Sequence, residues 1–426
     1  MDKSTLYMSL LVCLPPIALS LSVVPFQLEA ADSDAQANSP GFRIQLDTLL
    51  QEYDGKQCWT QARAAAIPRP GKPPLTLVTM QKLLLTGSDI YYPINDVFSE
   101  DLGKTWSKPE EHADILGRRQ EPYGIEVAPG DFWPKWHAAS GKVLGIGQTF
   151  RYKDEKTPQL DAPKEVAYSY YDPATRKWAP WATLEAPEGV LSYQTAGGCA
   201  QRVDLPNGDI LLPVYFKAKE DKFYKVKVIR CGFDGAKLKW LEEGNTLKLD
   251  KKRGFQEPSL TKFGNRYYLS IRHDDAGFVS TSDDGLHFGE PRFWRWDNGT
   301  TLGNYNTQTH WVSRQDRLYL VYTRRGADND HVFRHRAPLF IAEVDTGKLA
   351  VKRDTEQILI PEKGARYGNF GICDVNENET WVVETEWMQR PPQEPIIPIE
   401  NKWGAAGRVY ISRILWDKPN LDWNRR

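Results

Sequence analysis

The chain has 426 residues, 12% of them aromatic, with 32 Gly and 29 Pro. Aromatic runs broken this often by Gly and Pro exclude a helical fold and favour an all-β one, whose repeats allow a long single domain. The formal net charge of -1 excludes whole-molecule attraction to nucleic acid or to an anionic membrane surface.

At the N-terminus, Lys3 precedes an apolar stretch from Leu10 to Val24 that Pro15 and Pro16 interrupt, and Leu28-Glu29-Ala30-Ala31 follows with small residues. The pattern predicts a signal peptide over 1–30, hence export to the periplasm or the extracellular space. Residues 31–40 read as a polar, disordered linker and 41–426 as one domain. No later segment is apolar for long enough to span a bilayer. Beyond the signal, Cys58, Cys199, Cys231 and Cys373 are either two disulfides or buried thiols. Their wide spacing is unlike a zinc site, and neither a metal nor a cofactor is expected.

Gln45 to Tyr53 is the one short helical candidate. Short strands then alternate with turns: Ile210 to Phe216, Lys225 to Cys231, Tyr267 to Arg272, Arg317 to Thr323, Leu339 to Val344, Thr380 to Glu384 and Arg408 to Leu415. One turn recurs. Ser99-Glu100-Asp101-Leu102-Gly103-Lys104-Thr105-Trp106 has the form Ser/Thr-x-Asp-x-Gly-x-Thr-Trp/Phe, and Thr281 to Phe288 repeats it around Asp283, with His287 in place of Thr. In such a turn the carboxylate accepts backbone N–H groups, Gly takes positive φ and the aromatic ring packs back between strands. Weaker echoes surround Asp172, Asp234 and Asp345. The five Asp positions are spaced by 71, 62, 49 and 62 residues, one four-stranded antiparallel blade each. A last blade ending near Trp416 makes a six-bladed β-propeller, closed by a strand near Phe42 to Ile44; seven blades are the alternative.

Two such turns, known as Asp-boxes, in a six-unit repeat resemble the sialidase superfamily over about Gly41 to Trp416. That resemblance implies three arginines around a sugar carboxylate, a tyrosine nucleophile paired with a glutamate, and an aspartate acid/base. Arg63, before Ile67-Pro68, is similar to the family's first arginine, although Ala64 to Ala66 intervene. Asp89 then stands where the acid/base belongs, with Asp96 as rival. Glu257-Pro258-Ser259-Leu260, the Gly264-Asn265 turn and Arg272 resemble the family's glutamate–arginine hairpin. Arg336 is the third arginine, with Arg324, Arg325 and Arg334 as rivals. In Arg366-Tyr367-Gly368, Tyr367 is the nucleophile that the resemblance implies, and Glu384 holds Arg63, with Glu386 as substitute. A neutral tyrosine suits a sugar whose anomeric carbon carries a carboxylate, because an anionic nucleophile would be repelled. Arginine forks suit the carboxylate itself.

Two further clusters fall outside that template. Asn304 to Trp311 carries Asn306, Gln308 and His310, which suit sugar hydroxyls. Trp133-Pro134-Lys135-Trp136-His137 offers stacking rings and His137. The resulting expectation is a retaining exo-glycosidase acting on a terminal carboxylated sugar of a glycan. The alternatives are a polysaccharide lyase using His137, His310, His331 and Tyr367, and a carbohydrate-binding propeller without catalysis.

Overall fold

The computed structural model describes residues 40–87, 89–154, 157–389, 399 and 401–423. The expected signal peptide and nearly all of the linker lie outside them. Six antiparallel sheets follow one another along the chain. From the innermost strand outward, blade one is Gln57–Arg69, Lys72–Leu84, Tyr91–Ser99 and Glu110–Glu111. Blade two begins at Ile125–His137 and blade four at Gln256–Phe263, followed by Arg266–Arg272. In blade three, Gln194–Ala196 and Val203–Asp204 together form the inner strand, both pairing with Ile210–Lys217. His310–Arg314 opens blade five, and Gly371–Asn376 opens blade six.

Blade six is completed by Phe42–Gln51, which pairs with Arg408–Trp416 from Phe42↔Trp416 to Gln51↔Arg408. The repeat is therefore a ring of six, closed by joining the first strand to the last sheet. The helix expected at Gln45 to Tyr53 is instead most of this strand. Phe42 and Ile44 pack on the core while Arg43 and Gln45 are exposed, a period of two that suits a strand, and a bulge between Thr48 and Leu50 then brings both Leu49 and Leu50 onto the seam with blade one.

Each of six apolar clusters bridges neighbouring blades. Trp59, Val78 and Ala64 of blade one pack with Trp381 and Ile411 of blade six, for example, and Leu320 and Phe340 of blade five pack with Val279 and Trp294 of blade four. Trp294, Trp311 and Trp381 are completely buried in these seams. A buried aromatic of this size removes about 200 Å² from water, which at ~25 cal/mol per Å² contributes about 5 kcal/mol before ordering entropy is set against it.

The Asp turns lie between the third and fourth strands, on the outside. Asp101 accepts Thr105 N at 2.9 Å and the Thr105 hydroxyl at 2.6 Å. Asp172, Asp234 and Asp345 accept the N–H groups of Ala174, Ala236 and Gly347 at 2.9, 3.0 and 3.0 Å. In blade four the accepting residue is Asp284, bonded to Leu286 N and His287 N, while Asp283 faces solvent beside Arg266. The turn there is one residue tighter than in blade one: Gly285 N reaches Ser282, three residues back, where Gly103 N reaches Ser99, four back. Cys58, Cys199, Cys231 and Cys373, the cysteines among the described residues, are buried free thiols.

Candidate functional site

Every inner strand runs from one face of the ring to the other and its neighbour returns. Starts of first strands and ends of second strands therefore share a face. On that face the backbone is unusual. Gln61 (φ 57°), Asp131 (53°), Cys199 (58°), Glu257 (39°), Asn306 (49°) and Gly368 (114°) stand one per blade, in the inner strand or its approach. Ladder register breaks at three of them, between Thr60 and Arg63, Gly130 and Trp133, and Gln256 and Ser259. Positive φ at a side-chain-bearing residue costs on the order of 1–3 kcal/mol and persists only where the surroundings impose it. Bulges of this kind re-aim side chains beside functional sites.

Two of these residues meet in a buried network. Gln61 Nε2 donates to Asp131 Oδ1 at 2.6 Å, and Asp131 N returns a bond to Gln61 Oε1 at 2.7 Å. Gln148 Nε2 donates to Asp131 Oδ2 at 2.8 Å, and the Tyr215 hydroxyl donates to Gln148 Oε1 at 2.7 Å. Burial pushes the Asp131 carboxyl up to about 6, against the pull of Arg63.

Glu257, Arg272, Arg334, Arg336 and Arg366 form the charged part of the site. Arg272 Nη1 bonds Glu257 Oε1 across the hairpin, and its Nη2 donates to Asn306 Oδ1 at 2.7 Å. Burial opposes the Glu257 charge, yet Arg272, with Arg336 behind it, holds the carboxyl below its ordinary range. Gln308 adds to the same field but directs its own hydrogen bond to Asn369 Oδ1, at 3.1 Å. Arg336 is 5% exposed and donates to the Asn306 main-chain carbonyl at 2.5 Å. Among the described residues it has no carboxylate partner, and burial followed by Arg272, Arg334 and Arg366 lowers its pKa well below normal. Arg366 lies 4.0 Å over the Trp387 ring and donates to Gln389 at 2.9 Å. Burial brings it down to about 10, with Asp89 acting in the other direction. The Nε atoms of Arg272, Arg336 and Arg366, and Oε2 of Glu257, are buried without a hydrogen-bond partner. Arg272, Arg334, Arg336 and Arg366 thus share this face with Glu257 and Asp89, and the Arg253–Asp274 ion pair adjoins them, Arg253 also donating to Asn306 Oδ1 at 3.2 Å.

Asp89 lies on the same face, in the turn between the second and third strands of blade one. Its Oδ1 accepts the Tyr91 hydroxyl at 3.1 Å and its carbonyl accepts Tyr152 at 2.9 Å. Its rival Asp96 is fully buried with Trp178 and His112, in the role of a core acceptor. Arg324 is committed to Glu356, and Arg325 lies over the Tyr305 ring at 3.9 Å. Of the cluster expected around 324–336, it is therefore Arg334 and Arg336 that face Arg272.

Several expected residues stand elsewhere. Arg63 is completely buried at the axis and donates to Phe370 O and Phe132 O, both at 3.3 Å, and to Cys199 Sγ at 3.2 Å, with its guanidinium over Trp133. The three-alanine insertion and the bulge at Gln61 set it into the wall, away from Arg336. Tyr367 is in the seam between blades five and six, where its hydroxyl donates to Pro361 O at 2.8 Å and its ring meets Tyr410. Arg366 and Tyr367 are neighbours in extended chain and turn to opposite sides, Tyr367 into the seam and Arg366 onto Trp387 and Gln389. Glu384 accepts Gly368 N at 2.6 Å and Thr385 N at 2.7 Å, and burial pushes it up to about 7. Glu386 is bound to Ala406 N, Arg408 and Tyr410. Burial keeps His310 neutral between Ser259 and Gln308. His137 bonds Ser140 and Gly208 O at the opposite end of the axis.

Arg366, Asp131 and Tyr215 are site residues that no motif assigned. Arg366 adjoins the tyrosine that drew attention to its segment. The other two carry no local signal, because the network that gathers them crosses blades. Among the described residues no group of three or more His, Cys, Asp or Glu side chains is placed to hold a metal ion.

No protein-family model matches the sequence, and no curated protein does. Solved structures match its shape. A sialidase from Trypanosoma rangeli aligns with a TM-score of 0.57 at 12% identity, over 87% of this chain and 59% of its own length. The chain has the fold of the sialidase propellers. The NanB sialidase from Streptococcus pneumoniae gives 0.57 at 11% identity, over 91% of this chain and 73% of its own. A Dyadobacter fermentans protein of unknown function gives 0.60 at 14% identity, over 88% of this chain and 100% of its own. The chain spans a little over half the length of the Trypanosoma sialidase and about three quarters of that of NanB. No helix among the described residues is long and apolar enough to cross a membrane.

Proposed function

We propose that this propeller binds the carboxylate of a terminal acidic sugar, of the sialic or ulosonic acid class, and hydrolyses its glycosidic bond. The observation that carries the reading is Arg336: a buried guanidinium among three others, without a carboxylate of its own. An unpaired buried charge is strongly unfavourable, and a ligand carboxylate with fork geometry answers it. Arg272, Arg336 and Arg366 offer the grip, each with an orphaned Nε. Asp89 donates a proton to the leaving oxygen as the bond to the anomeric carbon breaks. It then takes a proton from the attacking water, so that both carboxyl and sugar end in balance. Glu257, held anionic, stabilises the positive charge that develops on the ring. Tyr367 is not assigned the nucleophile's part, since its hydroxyl lies in the seam.

That same placement favours a second reading, recognition without turnover. Tyr367 N donates to Arg336 O, but the Tyr367 hydroxyl is bonded to Pro361 O in the seam and His310 is bonded to Ser259, so neither group that a lyase would use is free to act on a ligand of Arg336. The discriminating experiment incubates the full chain and Asp89→Asn with terminal sialosides, ulosonic acid glycosides and uronate polymers, read by mass spectrometry. Hydrolysis by the wild type that Asp89→Asn abolishes supports the enzyme. Binding without product supports the second reading, and an unsaturated uronate product overturns both.

A further inference from the structure

The Trp133 to His137 segment has no part in the arginine site, and it leads to the other end of the axis. There the C-terminal halves of the inner strands enclose a cavity of about 770 Å³. Between the two ends the axis is filled. Trp133 and His310 meet at a ring separation of 4.7 Å, His310 and Phe370 at 4.6 Å, and Arg63 bonds across to Phe132, Phe370 and Cys199. We infer that this cavity is a second ligand site, separate from the arginine cluster, that takes a neutral sugar ring.

Its volume lies in the range of small-molecule sites, which combine aromatic walls with a few placed polar groups. Trp133, Trp136 and Trp311 supply the walls. The polar groups come from Lys135, Arg202, Asp204 and Asp374, two cations and two carboxylates, so an ionic ligand would meet its own sign as well as the opposite one. Arg202 is spent internally on Asp204 Oδ1, Leu144 O and Lys135 O, at 2.9, 2.7 and 3.2 Å. The Lys135 amine and Asp204 Oδ2 are not. Lys135 Nζ lies 3.5 Å from Asp204 Oδ2 and donates to Arg202 O at 3.2 Å, which leaves it further donor capacity. Asp204 Oδ2 is buried without a hydrogen-bond partner. A hydroxyl that accepts from Lys135 and donates to Asp204 completes both, and a pyranose adds an apolar C–H face for a tryptophan. His137 shapes the wall without facing the ligand, since Ser140 and Gly208 hold its two ring nitrogens.

The test is calorimetric titration of the full chain with neutral methyl glycosides of glucose, galactose, mannose, fucose and N-acetylglucosamine. The variants are Trp136→Ala, Lys135→Met and Ala139→Trp, the last placing bulk at the exposed rim of the cavity where it leaves the core intact. The expected result is saturable binding of at least one glycoside that weakens about tenfold or more in Trp136→Ala and Ala139→Trp and is unchanged in Arg336→Ala. If Lys135→Met or Trp136→Ala fails to fold, Ala139→Trp decides alone. Absence of saturable binding, which makes the cavity a water-filled channel only, overturns the inference. So does binding that survives Ala139→Trp or is lost in Arg336→Ala. Because Arg336 is the pivot of the acidic-sugar reading, failure of one site leaves the other readable.

Discussion

Arg336 donates to the main-chain carbonyl of Asn306, while Asn306 Oδ1 accepts from Arg272. One positive-φ asparagine therefore gathers three guanidinium groups, since its Oδ1 also accepts from Arg253 at 3.2 Å. Glu257 answers Arg272, and among the described residues no carboxylate bonds to Arg336, whose Nε is left without a hydrogen-bond partner.

On the proposed acidic-sugar function, the buried Arg336 charge is kept for a ligand at the expense of stability. Arg336→Met is expected to stabilise the empty protein by about 1–3 kcal/mol, in line with apolar replacement of buried ionic groups. The same change should weaken acidic-sugar binding by about 1.5–3 kcal/mol, the value of hydrogen bonds to charged groups. Chemical denaturation and calorimetry on the one variant check both signs. A variant that is destabilised while binding is kept would count against the assignment.

Tyr367→Phe removes a buried hydroxyl from the seam and leaves Pro361 O without its donor. The expected loss is about 1 kcal/mol of stability, with turnover of an acidic glycoside within about threefold of wild type, since a group outside the site should supply far less than one factor of ten in rate. A fall of several orders of magnitude in kcat at unchanged stability would restore the nucleophile's role to Tyr367.

Glu384 and Asp131 have folded-state values raised by burial, to about 7 from 4.5 and to about 6 from 3.8. Below their unfolded values both states carry the proton, and the contribution of each group to stability is fully present. As pH rises toward the folded value, only the unfolded state loses the proton, so stability falls, and it levels off above about 7. Melting curves of the wild type should decline between about pH 4.5 and 7. The decline should shrink in Glu384→Gln, by an amount on the order of 3 kcal/mol at most. A wild type and variant with parallel profiles across that window would contradict the buried, proton-holding assignment.

At the rim, Asp101 is held to about 2 by the Thr105 hydroxyl, then by Thr105 N and Ser99. A depressed carboxyl stabilises above its unfolded value and loses that contribution as pH falls from about 4 toward 2. Asp101→Ala is expected to lower Tm at neutral pH, to flatten that acid limb and to leave ligand binding unchanged. Altered affinity would place the hairpin in the site after all.

The ring of blades was legible because five of the six carry their own local chemistry: a period-two strand, an Asp that satisfies the backbone of the next turn, an aromatic for the seam. Glu257 and Arg272 were legible for the same reason, since one hairpin fixes both ends. Phe42–Gln51 was misread as partly helical because its partner, Arg408–Trp416, lies at the far end of the sequence. Arg63 and Tyr367 fitted a spacing, but side-chain direction depends on a bulge at Gln61 and on the side of the extended chain to which Tyr367 turns, and neither follows from spacing. Arg366, Asp131 and Tyr215 come to the site through contacts between blades, which no local pattern records.

The most direct measurement is a calorimetric titration of N-acetylneuraminic acid and of its methyl ester into the wild type and Arg336→Ala, near pH 7 and at low salt. Saturable binding of the acid is expected, with roughly 10–100-fold weaker binding to Arg336→Ala and little or no binding of the ester, and with the same order for any other carboxylated sugar that binds. Equal affinity for acid and ester, or an affinity that Arg336→Ala leaves intact, would contradict the acidic-sugar reading.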